Sequence, residues 1–128
     1  MLVIEDDILL NALLVALVTV KFEARPEDTG EVASSPLVAE VCNRTYEALM
    51  AAERAKACFG TAQRLEDSRS AEDKPLVRQA IQSHIQHHKS YWASCDLGQK
   101  HEFVRILLSP YTASEEFIDD IVQNAANQ

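Results

Sequence analysis

A chain of 128 residues with 47% hydrophobic and 25% charged side chains has the composition of one globular domain, 1–128, and not of a disordered segment. Its formal charge of −8 is uneven: residues 1–33 carry −5, 34–69 balance, 70–109 carry +1 and 110–128 carry −4. No stretch clusters lysine and arginine as binding to a nucleic-acid backbone requires, which argues against direct contact with DNA or RNA.

Three glycines and four prolines in a chain rich in Ala, Leu, Glu and Gln favour helix, because those side chains lose little freedom on a helix. The first helix is predicted over residues 4–24. Between Ile8 and Val20 it is apolar on nearly every side, as expected of a helix surrounded by others or buried between subunits. The acids Glu5, Asp6 and Asp7 stand where a signal peptide would carry positive charge. Asn11 interrupts the run, which is shorter than the ~20 residues a membrane span takes. No membrane contact is therefore expected.

Arg25-Pro26 ends this helix, since the residue before proline is pushed out of the helical region. Residues 26–34 read as a polar loop containing Gly30. Ser34-Ser35-Pro36 opens a second helix, with a serine cap and proline in the first turn, continuing to Phe59 or on to Leu65. Residues 66–74 read as a polar, mobile connector. A third helix is predicted from Pro75 to Cys95, with Asp96-Leu97-Gly98 as a break. A short helix follows over 99–108, stopped by Ser109-Pro110, and a last one is capped by Thr112 or Ser114 and runs through Val122. The expected fold is all-α: an antiparallel helical bundle of three long and two short helices.

The cysteines Cys42, Cys58 and Cys95 are widely spaced and odd in number. They make neither a disulfide framework nor a zinc ribbon, and they point to a reducing, cytoplasmic setting. One motif could carry chemistry. His84 and His88 are four residues apart in the third predicted helix, so they share its apolar stripe with Val77, Ile81, Ile85 and Trp92. Two imidazoles facing a bundle interior can clasp a transition metal. A zinc or iron site needs further ligands, for which His101 and Cys42 are the candidates. No Glu-x-x-His pair is present, and glycine-rich phosphate loops and Gly-x-Ser-x-Gly elbows are also lacking. The simpler expectation is that the histidines are hydrogen-bonded within the bundle and that there is no cofactor.

The leading functional expectation is therefore a protein that acts by binding protein, as a homodimer. A first helix this apolar exceeds what a lone bundle of this size covers, and a self-complementary contact would bury the excess. Leu9, Leu13 and Leu17 on that helix, with Tyr91 and Trp92, are the candidate interface residues. The acidic ends would suit a basic partner, as in an inhibitor or immunity-type protein. The alternative is a metal-binding bundle or metal-dependent hydrolase built on His84, His88 and His101. A ligand cavity lined by Trp92 and Phe59 is a third possibility.

Overall fold

The computed structural model describes residues 3–4, 6–56 and 59–126. Within them the chain forms α1 (Asp7–Phe22), α2 (Pro26–Ala33), α3 (Pro36–Ala55), α4 (Phe59–Asp67), α5 (Pro75–His87), α6 (Lys89–Ser94), α7 (Leu97–Leu108) and α8 (Glu115–Ala126), with no strand. The chain is all-α, as its composition predicts.

Most helix starts follow from side chains that satisfy the free N–H groups of a first turn. Asp6 accepts from the Ile8 N–H at 2.8 Å ahead of α1. Ser35 caps α3, and Asp96 caps α7 with Gln99 closing a reciprocal capping box. Ser114 Oγ accepts from the Phe117 N–H at 3.2 Å ahead of α8. α2 and α5 begin on Pro26 and Pro75, whose missing N–H would be unsatisfied in a first turn anyway.

Three expectations change. Residues 26–34 are not a loop: Pro26, then Glu27 and Asp28 against the positive helix end, start α2. The third predicted helix is divided at His88, whose φ of −102° and ψ of 32° separate α5 from α6. The second ends at Ala55, and α4 follows as its own element, tied back by an Arg54–Glu66 ion pair of 3.2 Å. The count of three long and two short helices therefore gives way to eight among the described residues.

The connector at 66–74 is anchored too. The Thr112 N–H donates to the Arg69 carbonyl at 2.8 Å, and the Ala71 N–H donates back to the Thr112 carbonyl at 2.9 Å. Arg69 Nε reaches the Pro110 carbonyl at 2.8 Å, its Nη1 reaches Glu47 at 2.5 Å, and its guanidinium lies 4.7 Å from the Tyr46 ring centroid. Ala71 is fully buried as a result.

Two apolar clusters hold the helices together. The larger joins Ala33 of α2 to Val77, Ile81 and Ile85 of α5, Trp92 of α6, four residues of α7 and Ile118, Ile121 and Val122 of α8. The smaller packs Leu10 and Leu14 of α1 on Tyr46, Leu49 and Met50 of α3. α1 and α3 are antiparallel: Asp7 pairs with Lys56 at one end, and Lys21 lies beside Cys42 toward the other. α7 and α8 also pair antiparallel, with His101 on Asp119 and Arg105 on Glu115 at 2.9 Å.

Candidate functional site

His84 of α5 faces inward, whereas His88, just past the end of α5, is half-buried and His87 is exposed, and His84 and His88 find different partners. His84 is 2% exposed, and its Nε2 donates to the Lys21 carbonyl at 3.0 Å. A carbonyl can only accept, so the proton sits on Nε2. Nδ1 is left as a buried acceptor with no hydrogen-bond partner. Burial holds this imidazole below the usual histidine range, against the opposing pull of the Lys21 carbonyl.

His88 stands at the bend between α5 and α6, where its ring meets His87 edge-on at 4.9 Å and Phe103 at 5.9 Å. Gly30 of α2 makes this possible. A Cβ there would lie 3.0 Å from His87 Cδ2 and 3.1 Å from His88 Nε2. The bend therefore has no breaker in its own sequence. It sits where α2 meets the two rings.

His101 is on α7, and both its nitrogens face acceptors: the Leu97 carbonyl at 2.8 Å from Nδ1, and Asp119 from Nε2. Asp119, then the Leu97 carbonyl, raise its pKa above the ordinary histidine value. His84, His88 and His101 thus keep three separate sets of partners. Among the described residues no three His, Cys, Asp or Glu side chains gather as metal ligands would. Cys42 is fully enclosed, and burial pushes its thiol up. Cys58 lies outside the described residues, and nothing is placed for the side chain of Phe59.

The interface candidates divide by burial. Trp92 is 6% exposed and packs on Phe103 at 6.1 Å, with Lys100 over its ring, so it belongs to the core. Tyr91 is exposed. Leu13 and Leu17 are half-buried, whereas Leu9 is 58% exposed. Leu9 belongs to a larger surface. At 100° per residue, Ile8, Leu9, Ala12, Val15 and Ala16 fall on the side of α1 away from Leu10 and Leu14. All five are exposed, Ile8 to 74% and Val15 to 56%. No ionisable side chain interrupts residues 8–20. Isolated apolar residues at a surface are ordinary, but a contiguous uncharged helix face is not.

Lys21 was not legible as a key residue. It is 1% exposed, and its ammonium donates to the Ile106 carbonyl at 2.7 Å and the Ser109 carbonyl at 2.5 Å. One lysine of α1 thereby closes the carbonyl end of α7, where cations are favoured. Burial lowers its pKa to about 8. Its place at the end of an apolar run is the only signal for this in the sequence.

No protein-family model matches the chain, and no curated protein or solved structure does so either.

Proposed function

We propose that the chain works as a protein-binding module whose first partner is a second copy of itself, docked through the outer face of α1. The observation that carries this reading is the exposure of Ile8, Leu9 and Val15 on one uncharged helix face. A partner recognised by charge would meet charged groups, and here there are none. An identical face offers a matched apolar surface with no desolvated ion. Ala12 and Ala16 at its centre let two helices cross closely, and a two-fold axis there closes the assembly.

A basic partner finds less support in the acidic tail, because Glu115, Asp119 and Asp120 are already paired with Arg105, His101 and Arg78. The metal reading draws on no gathered ligand set among the described residues.

Sedimentation equilibrium tests the proposal. The wild-type chain is expected to show twice the mass of one copy at micromolar concentrations. Val15→Glu is expected to weaken the dimer about 100-fold or more, because the two-fold axis buries the new charge twice. A monomer at every concentration, or a dimer indifferent to Val15→Glu, would refute it.

A further inference from the structure

The direction in which two copies of α1 meet rests on the dimer proposed above and is set by the side chains along the face. The middle of that face is a stripe of Ile8, Ala12, Val15 and Thr19, spaced four, three and four residues apart and all exposed. This is the spacing of a seam between two helices, where side chains meet in successive layers. Leu9 and Ala16, also exposed, flank the stripe on one side.

The stripe alternates large and small side chains, and the two directions use that alternation differently. In a parallel pair each residue meets its own copy. Ile8 would stack on the partner's Ile8 and Val15 on the partner's Val15, while Ala12 on the partner's Ala12 would leave a gap between two wide layers. A gap of that kind forfeits the dispersion contacts that close packing supplies.

In an antiparallel pair the order reverses about a two-fold axis level with Leu13 and Leu14. Ile8 then meets the partner's Thr19, and Ala12 meets the partner's Val15. Every layer sets a larger side chain against a smaller one, and Leu9 against the partner's Ala16 repeats the pattern at the flank. The layers become more even in volume, as a constant distance between helix axes requires. Asp6 and Glu23, both exposed, mark the two ends of the face with the same sign. Side-chain charge therefore favours neither direction, while opposed helix dipoles favour the antiparallel one.

We infer that α1 pairs antiparallel with α1 of the second copy, and that Ala12 and Thr19, the small members of the stripe, select that direction. Because α1 is also antiparallel to α3 within each copy, the dimer is a row of four helices in which every neighbour runs the opposite way.

Sedimentation equilibrium of stripe variants and disulfide trapping test this together. Antiparallel packing sets Ala12 against the partner's Val15, so Ala12→Val overfills two layers at once and is expected to weaken the dimer about tenfold or more. Adding Val15→Ala to the same chain restores the pairing of large on small, and the double variant is expected to return to within about threefold of wild type. Parallel packing predicts the opposite sign for Ala12→Val, because the added methyls would fill the gap between two alanines. In mild oxidant, a mixture of Ile8→Cys and Thr19→Cys chains is expected to form a disulfide between positions 8 and 19, and Ile8→Cys alone to form none between positions 8. Mass spectrometry of the linked peptides keeps Cys42, Cys58 and Cys95 out of the result. A tighter dimer in Ala12→Val, or a disulfide between two positions 8, would overturn the antiparallel direction and leave the dimer standing. A wild-type chain that stays monomeric, or a dimer with no link between its α1 helices, would remove both.

Discussion

Lys21 shows how much one side chain can hold at the residue scale. Its ammonium closes α7, and its carbonyl receives His84. Lys21→Met keeps most of the volume but leaves the Ile106 and Ser109 carbonyls without their donor, at an expected cost of about 1–3 kcal/mol in urea unfolding at pH 7. The pH dependence carries a definite sign. Above pH 8 the folded chain gives up the Lys21 proton, while the unfolded chain holds its own up to the ordinary value of 10.5. The unfolded state then binds more protons, so wild-type stability rises from pH 8 toward 10.5 relative to Lys21→Met. Taking the difference between the two proteins cancels Tyr111, which titrates in both, and making the comparison in a Cys42→Ser background removes the thiol that Lys21 lies beside. A flat difference would show that the lysine is not held in a desolvated site. Gly30 makes a second residue-scale case. Alanine there improves helix propensity by ~1 kcal/mol, but its Cβ meets the two imidazoles at 3.0 and 3.1 Å. Gly30→Ala is expected to destabilise by about 1–2 kcal/mol in thermal unfolding and to shift the His87 and His88 ring resonances. Any gain in stability would mean that the rings yield.

At the element scale, Ser35-Pro36, Pro75 and Ser114 marked helix starts from local chemistry alone, because caps and first-turn prolines act within four residues. The features that escaped are set by contacts distant in sequence. Gly30 read as part of a polar loop, yet it lies inside α2, where its missing side chain lets the helix pack against His87 and His88. The pattern Pro26-Glu27-Asp28 was the available signal for that helix. The 66–74 segment looked mobile from its polarity, and no local pattern showed that Arg69 would be gripped by Pro110, Glu47 and Tyr46. Arg69→Ala is expected to cost about 2–3 kcal/mol, and Arg69→Lys to recover less than half of that, since an ammonium cannot reproduce the planar fork. Urea unfolding of the two variants measures this directly. Full recovery by lysine would mean that only the charge matters.

At the scale of the whole molecule, the division into two apolar clusters explains why α1 keeps an open side. The larger cluster is closed by α2 and α5–α8, whereas the smaller offers α1 mainly the flank of α3. The apolar run of residues 8–20 made this helix conspicuous in the sequence. It could not say which side would face α3, and so Leu13 and Leu17 turned half inward while Ile8 and Val15 turned out. The HxxxH spacing was equally legible, but its chemistry depends on what the other helices bring to it. They bring a carbonyl, a phenyl ring and a glycine. The central claim is that two copies meet through α1, and an isotope-filtered NOE experiment on a mixture of ¹³C-labelled and unlabelled chains tests it most directly. Contacts between copies among the methyl groups of Ile8, Ala12, Val15 and Ala16 are the expected result. Their absence at millimolar concentration, or contacts between copies confined to Leu76 and Leu97 instead, would contradict it.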